Sequence, residues 1–253
     1  MTWKTAAALT LSLAASGWTQ FAVAQDAATT PPAPVEAFYC NMQPGKDMKD
    51  LMQVADRFRS WADKNDPGYS AWILTPRFGQ FGELPQVVWL GSNTSGDAMG
   101  AGLDAWIASG QDIQQDFDKV VDCGSHGLAS SVEVNAPDGP PGSGVVMFTR
   151  CSIAEGSDFD KVLAAHRQYS SAMRDMGAKN SNWVFVPMLG SPAHEFDYWG
   201  VSTFSSWSAY FAAYELYVRG GWQKGMEALR DVASCEQGTA SVWDVKLVRA
   251  RSS

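Results

Sequence analysis

The chain has 253 residues, of which 45% are hydrophobic, and its 27 Asp and Glu residues outnumber 19 Lys and Arg residues to give a net charge of −8. This acidic balance repels phosphate backbones and argues against nucleic acid as a partner. The length and apolar content suit one large domain or two small ones with packed cores.

The first 24 residues have the layout of a secretory signal peptide. Lys4 supplies a short positive segment, residues 5–15 form an apolar run, and Ala22-Val23-Ala24 is a small-x-small cleavage site. The alternative is a retained membrane anchor, but the apolar run is shorter than the about 20 residues that span a bilayer. We therefore predict a mature chain that is periplasmic or secreted and has no membrane span.

Residues 25–35, rich in Ala, Thr and Pro, are predicted to form a disordered arm. Two copies of one unit then follow, which we call repeat 1 (residues 36–135) and repeat 2 (residues 144–249). The Pro- and Gly-rich stretch 136–143 is predicted to be the linker between them. Landmarks in the two copies match at an offset of 111 or 112 residues, and they are Cys40, Trp72 and Cys123 in repeat 1 and Cys151, Trp183 and Cys235 in repeat 2.

Within each repeat the patterns predict strand, helix, two strands, helix and strand, in that order. The first helix shows why, since Met48, Leu51, Ala55 and Phe58 recur at the spacing of one helical face. In repeat 1 we predict these elements over residues 36–42, 47–63, 70–75, 86–90, 97–121 and 128–134. In repeat 2 we predict them over residues 144–152, 158–176, 183–187, 196–203, 208–233 and 240–248.

This β-α-β-β-α-β order is the split βαβ, or ferredoxin-like, unit, in which helices cover only one face of the sheet. A tandem pair can cover the other face by packing sheet against sheet. The chain therefore resembles the dimeric α+β barrel superfamily, fused here into one α+β chain. That superfamily includes antibiotic-biosynthesis-type and haem-degrading monooxygenases, chlorite dismutases and dye-decolourising peroxidases. The chain is also similar to uncharacterised exported proteins of marine bacteria that have the same Cys and Trp landmarks.

Four cysteines in an exported chain indicate two disulfides, for which three pairings exist. In the split βαβ unit the last strand lies beside the first, so the two cysteines of one repeat can meet. This favours Cys40–Cys123 and Cys151–Cys235 over pairing between the repeats. No C-x-x-C motif is present, which favours a structural over a redox-active role.

Three histidines are candidate ligands of a metal or of haem. His126 is predicted to lie in a surface turn, and His194 in a loop between two strands. His166 falls on the apolar stripe of its helix, at the position that Ala55 holds in repeat 1. It is either a core histidine with a hydrogen-bond partner or a ligand of haem or a metal, since some haem-binding relatives use a helical histidine. The Gly-x-x-Asp-Gly motif of the peroxidases is absent, so we assign no cofactor and no metal, and haem is kept as the alternative.

Strand alternation predicts a polar face between the two sheets. If Cys40 points toward the helices, Tyr39 points the other way, and we expect Tyr39 beside Glu133 and Arg150 beside Asp244. A pocket on this face would suit a small polar or aromatic ligand. The alternatives are a solvated face or ion pairs that satisfy each other. The candidate ligand-binding residues are Tyr39, Asn41, Glu133, Arg150, Asp244, Lys246, Trp72, Trp183 and His166, with Trp89 and Trp199 as further walls.

Three functional hypotheses follow, because no catalytic motif is present. The favoured one is an exported small-molecule-binding protein with a site between the sheets, and a cofactor-independent oxygenase-like enzyme is one form of it. The second is a haem protein that uses His166. The third is a non-catalytic envelope protein. Whether the chain is an enzyme, and its oligomeric state, are left open by the sequence.

Overall fold

The computed structural model describes residues 31–66, 68–82, 84–137, 139–190 and 196–252. The predicted signal peptide, most of the predicted arm and the loop residue His194 lie outside these residues. Among the helices that the structure describes, none combines the length and the apolar character needed to cross a membrane.

Each repeat contributes four long strands and three helices. Repeat 1 consists of β1 (Ala33–Met42), α1 (Met48–Asn65), β2 (Ser70–Phe78), β3 (Val87–Ser92), α2 (Gly96–Ser109), α3 (Gln111–Asp118) and β4 (Val121–Asn135). Repeat 2 consists of β5 (Gly144–Ile153), α4 (Phe159–Asp175), β6 (Ser181–Leu189), β7 (Tyr198–Phe204), α5 (Trp207–Leu216), a π-helical turn (Tyr217–Gly221), α6 (Trp222–Leu229), the short β8 (Ala233–Cys235) and β9 (Ser241–Arg249).

The strands close into one antiparallel barrel of eight. Within the repeats the strand orders are β4-β1-β3-β2 and β9-β5-β7-β6, and the pairs β4–β6 and β2–β9 join the repeats. The ninth strand, β8, pairs with β5 beyond the end of β9. The predicted fold, two ferredoxin-like repeats arranged as a pseudo-dimeric α+β barrel, is thus confirmed.

The barrel interior is packed with apolar side chains from both repeats. Closure of the barrel removes the open sheet edges, and the inward positions of every strand meet at the centre. The buried members of this inner cluster are Leu74, Val88, Val146, Val201 and Trp243, and Tyr39, Trp72, Trp183, Trp199 and Phe148 pack against them.

The helices cover the outer face of the barrel. Helix α1 begins at a capping box, in which the Asp47 side chain accepts from the backbone of Asp50 and the Asp50 side chain accepts from the backbone N–H of Asp47. Its buried face includes Leu51, Ala55 and Phe58 of the predicted apolar stripe and packs on the sheet of repeat 1 together with α2 and α3. Helices α4, α5 and α6 cover repeat 2 in the same way.

Both disulfides join the cysteines of one repeat, as predicted. Cys40–Cys123 and Cys151–Cys235 each connect residues that lie directly opposite on neighbouring antiparallel strands. Their sequence separations of 83 and 84 residues correspond to a stabilisation of about 4 kcal/mol each on the loop-entropy model.

The predicted second helix of each repeat is wrong as a single element. In repeat 1, Gly110 separates α2 from α3, and a Cβ added there would collide with the Trp106 indole. In repeat 2 the helix breaks at Gly220, which has φ +136°. Because β4 begins at Val121, Cys123 and His126 lie on a strand, and the predicted surface turn at His126 is also wrong. The apolar periodicity of a helix does not show at which glycine the chain turns and the helix ends.

Candidate functional site

Two cavities lie outside the barrel, each between the sheet of one repeat and the helices that cover it. The repeat 1 cavity has a volume of about 910 Å³, and the repeat 2 cavity about 400 Å³. The sequence placed a pocket on the inner faces of the sheets, where the inner cluster packs instead. The larger volume falls within the range that small-molecule sites usually have.

Several aromatic side chains line the repeat 1 cavity. Phe58 is central, because the rings of Trp89 and Trp106 contact it edge-on, with centroids 4.9 and 5.7 Å away. The Trp89 ring in turn meets the Phe117 ring edge-on at 5.3 Å. Such an arrangement presents flat apolar surfaces to a ligand and suits a planar or aromatic one.

A chain of hydrogen bonds runs along the same cavity. His126 Nε2 lies 2.8 Å from Glu36 Oε2, and the Tyr69 hydroxyl donates to Glu36 Oε1 at 2.6 Å. Trp89 Nε1 donates to the Tyr69 oxygen at 3.2 Å. The His126 side chain is 48% exposed and that of Glu36 is 16% exposed, whereas Tyr69 is buried. We call His126, Glu36 and Tyr69 the polar relay, because they connect solvent to the buried part of the cavity.

Burial raises the pKa of the Tyr69 phenol well above its ordinary value, and the adjacent Glu36 carboxylate raises it further. The phenol is therefore protonated at neutral pH and acts as a hydrogen-bond donor to Glu36. The relay can thus bind a polar group by hydrogen bonding, and the carboxylate can accept a proton from a ligand.

Strand pairing explains how these residues meet. Phe38 on β1 lies opposite His126 on β4, and the two rings stack with centroids 3.7 Å apart. Glu36 lies opposite Gly91 on β3, and a Cβ at Gly91 would overlap the Tyr69 hydroxyl. The absence of a side chain at Gly91 therefore lets Tyr69 reach Glu36.

The repeat 2 cavity has different chemistry. His166 Nε2 lies 2.9 Å from the Tyr198 hydroxyl, and that oxygen is 3.9 Å from Cys235 Sγ. Burial lowers the pKa of His166 to about 4, so its imidazole is neutral at pH 7. Burial also raises the pKa of the Tyr198 phenol, with a smaller effect from Asp197.

These residues have no counterparts in repeat 1. Cys151 lies opposite Tyr198, whereas Cys40 lies opposite Val87. His166 stands where repeat 1 has Ala55, which is fully buried. The two repeats therefore differ in polarity next to their disulfides, although the strands around them match.

The arrangement at His166 does not fit the haem ligation that the sequence offered as an alternative. Nε2 faces the hydroxyl of Tyr198, a fully buried residue, so a haem plane would have to fit between the two side chains. A Cβ added at Gly200 would already lie 3.8 Å from His166 Cε1 and 3.6 Å from Cys151 Sγ. The space between the imidazole and β7 is therefore the size of a methyl group, which is far too small for a macrocycle.

The structure places the predicted inner-face residues at different sites. Tyr39, Trp72 and Trp183 lie in the inner cluster, where burial raises the pKa of the Tyr39 phenol. Glu133 lies opposite Trp183 and shares its inward face. Asn41 is exposed, and its side-chain oxygen accepts from the backbone N–H of Gln86 at 3.2 Å.

The two predicted contacts between these residues are wrong. Tyr39 lies opposite Ser125 instead of Glu133. Asp244 lies opposite Val145 and accepts a hydrogen bond from Trp207 Nε1 at 3.1 Å on the helix-covered face.

Arg150 is also separated from Asp244. It is exposed and lies opposite Trp199, with its guanidinium carbon 5.7 Å from the centre of the Phe196 ring. Lys246 lies opposite Ile73, an outward-facing core residue, and is exposed. On β9 the inward residues are Trp243 and Val245, so the alternating Asp244 and Lys246 point to the helix-covered face.

Sequence reasoning missed Glu36 and Tyr69, and it placed Trp89 on the wrong face. One signal was available for Glu36, an acidic residue at an outward position of an otherwise apolar strand. Tyr69 lies just before β2 and had no periodic pattern to mark it.

No family model and no curated protein matches the chain. A candidate monooxygenase from Lactobacillus acidophilus NCFM superposes with a TM-score of 0.55 at 8% identity, over 87% of this chain and 98% of that chain. An anthrone oxidase-like protein gives 0.52 at 10% identity, over 88% and 94%. A mutant chlorite dismutase from Candidatus Nitrospira defluvii gives 0.50 at 8% identity, over 84% and 91%. At these identities the similarity shows the fold alone, which is the dimeric α+β barrel.

Proposed function

We propose that the chain binds a small, largely aromatic molecule with a hydroxyl group in the repeat 1 cavity. The observation that carries the proposal is the polar relay, which brings a partly buried carboxylate and a buried phenol to a cavity of about 910 Å³ that includes several aromatic side chains. A cavity with an apolar lining and a few convergent polar groups is the usual form of a small-molecule site.

The chemistry of the cavity defines the ligand class. Edge-on rings around Phe58 and Trp89 favour a flat apolar body, and Glu36 favours a hydroxyl donor. Phenols and hydroquinones combine both features. The net charge of −8 disfavours ligands with several acidic groups.

An oxygenase-like activity is the catalytic form of this proposal. Glu36 accepts the ligand's hydroxyl proton, His126 passes it to solvent, and the resulting phenolate reacts with O₂. When the phenol is fused to a ring that contains a CH₂ group, that CH₂ becomes C=O, the second oxygen atom leaves as water, and no further reductant is needed. Similarly folded proteins include one named anthrone oxidase-like. Consumption of O₂ in proportion to product, lost in Glu36→Gln, tests this step.

A thermal-shift and calorimetric screen of phenols and hydroquinones tests binding itself. We expect at least one compound to stabilise the wild type and to lose affinity in Glu36→Gln. Tyr39→Phe is the matched control, because Tyr39 lies inside the barrel and its loss leaves the cavity intact. Loss of binding in Tyr39→Phe alone would move the site to the inner face and contradict the proposal.

Two other outcomes of the same experiment would favour a different function. A Soret absorption band in the purified protein would replace the proposal with a haem protein, whose ligand would have to be sought away from the present position of His166. If no compound binds and no chromophore is present, the non-catalytic envelope hypothesis takes its place.

We also propose that the chain is exported to the periplasm or beyond. Two disulfides support this, because such bonds persist in oxidising compartments. N-terminal sequencing of the protein from its native host should give a mature start at Gln25. A start at Met1 in a soluble cytoplasmic fraction would contradict export.

A further inference from the structure

We infer that the Cys151–Cys235 bridge of repeat 2 is a redox-gated metal site, which binds a zinc-class divalent ion when the disulfide is reduced. Cys151 Sγ, Cys235 Sγ and one ring nitrogen of His166 all lie within 4.8 Å of one another. Among the residues that the structure describes, this is a set of donors that converge from three elements, β5, α4 and β8.

The donor set matches what zinc prefers. Zinc takes four tetrahedral ligands, mainly thiolates at about 2.3 Å and imidazole nitrogens at about 2.0 to 2.1 Å. Ligand atoms in such a site are about 3.3 to 3.8 Å apart by this geometry. Side-chain adjustments of the order of 1 Å within the present set are sufficient to reach it. Tyr198, with its hydroxyl 2.9 Å from His166 Nε2 and 3.9 Å from Cys235 Sγ, lies near the fourth position.

The disulfide controls whether the site exists. In the oxidised chain the sulfurs are bonded to each other and offer no thiolate, which is the form that binds metals. Reduction by an external dithiol adds two electrons and two protons to the Cys151–Cys235 bond and converts the dithiol to its disulfide. Binding of Zn²⁺ then displaces the two thiol protons to solvent.

Access to the sulfurs is provided by the repeat 2 cavity. Cys151 is buried and Cys235 is partly exposed, and both line the cavity of about 400 Å³ together with His166. A small reductant and a hydrated ion can therefore reach the bridge without unfolding of the barrel. Backbone pairing of β5 with β8, from Cys151 to Ile153, holds the two strands together after the bond opens.

Repeat 1 provides an internal control. Its Cys40–Cys123 bridge has the same strand geometry, but Ala55 and Val87 stand where repeat 2 has His166 and Tyr198. The additional donors are thus confined to one of two otherwise equivalent bridges. The Cys40–Cys123 bridge forms with neither of these donors beside it.

Cobalt binding tests the inference, since tetrahedral thiolate–Co²⁺ complexes absorb visibly. The full chain is reduced with a phosphine, which is oxidised to the phosphine oxide by taking oxygen from water, then desalted without air and titrated with Co²⁺ and afterwards Zn²⁺. We expect one Co²⁺ per chain, thiolate charge-transfer and tetrahedral d–d bands, and displacement by Zn²⁺. The unreduced chain should give no bands.

Paired variants locate the site. The Cys40→Ser, Cys123→Ser double variant should keep the bands, and the Cys151→Ser, Cys235→Ser double variant should lose them. His166→Ala should weaken Co²⁺ binding at least about tenfold. In the wild type, Zn²⁺ should also protect Cys151 and Cys235 from alkylation, as read by peptide mass spectrometry, which avoids any variant that fails to fold.

Three results would overturn the inference. The first is absence of Co²⁺ bands in a reduced chain that is still folded by circular dichroism. The second is equal protection of all four cysteines by Zn²⁺. The third is loss of the fold on reduction alone, because the site requires α4 and β5 to keep their places.

Discussion

Tyr69 and Glu36 are joined by a hydrogen bond of 2.6 Å across 33 residues of sequence, at the point where β3 carries Gly91 instead of a side chain. The bond brings the loop before β2 against the outward face of β1. The position of the Tyr69 ring in the packing of repeat 1 therefore determines the hydrogen bonding of Glu36 at the cavity.

Gly91→Ala tests this coupling directly. The new Cβ would overlap the Tyr69 hydroxyl, so the ring must move away from Glu36. We expect the free energy of unfolding to fall by about 1 to 3 kcal/mol, measured by urea denaturation. The control is Gly124→Ala on β4, where a Cβ would meet nothing within 4 Å. Equal stability of the two variants would mean that Tyr69 does not occupy this position.

Alkaline pH should destabilise the chain through its buried phenols. The pKa of Tyr69 in the folded chain is raised above its ordinary value, so the unfolded chain releases this proton first as pH rises. The contribution of Tyr69 to the free energy of unfolding is fully present below about pH 10. Above that pH the contribution falls by about 1.4 kcal/mol per pH unit. Melting temperature against pH should fall less steeply above pH 10 in Tyr69→Phe than in the wild type. Parallel slopes would show that Tyr69 ionises freely in the folded state.

Arg249 should contribute more to the stability of the fold than the exposed Arg150 does. Its side chain is 2% exposed, and it donates to Asp63 at 2.7 Å and to the backbone carbonyl of Tyr69. It thereby attaches the last strand of repeat 2 to repeat 1. Arg249→Met should lower the free energy of unfolding by about 1 to 3 kcal/mol, because the buried backbone carbonyl of Tyr69 loses its donor.

The matched control for that prediction is Arg150→Met. Arg150 is exposed, and its replacement should change stability by no more than about 0.5 kcal/mol. Chemical denaturation of both variants provides the comparison. A larger loss in Arg150→Met than in Arg249→Met would contradict the burial pattern described above.

Removal of a bridge should cost stability in either repeat. The Cys40→Ser, Cys123→Ser and Cys151→Ser, Cys235→Ser double variants should each lose about 2 to 5 kcal/mol of unfolding free energy, since each bridge closes a long loop. Non-reducing peptide mapping of the wild type should find only these two linkages. A peptide linking Cys40 to Cys151 would contradict the barrel register.

Much of the fold could be predicted from local patterns. The duplication, the order of strands and helices and both disulfides follow from the spacing of Cys40, Cys123, Cys151 and Cys235 and from apolar periodicity. These features depend on residues close in sequence or on one strand lying beside another within a repeat. The stripe on α1, from Leu51 to Ala62, is an example, since helix geometry alone places it on one face.

The sites were decided by the tertiary structure. A shift of one residue exchanges the two faces of a strand, and because Trp243 and Val245 point inward, Asp244 lies on the helix side against Trp207 instead of on the predicted inner face. Barrel closure filled the predicted inter-sheet space with Trp72, Trp183 and other inner residues. Glu36 and Tyr69 meet only because β1 and β3 pair at Gly91. Periodicity specifies which face a residue takes within its own element, whereas a site depends on the register between elements, which only the closed barrel sets.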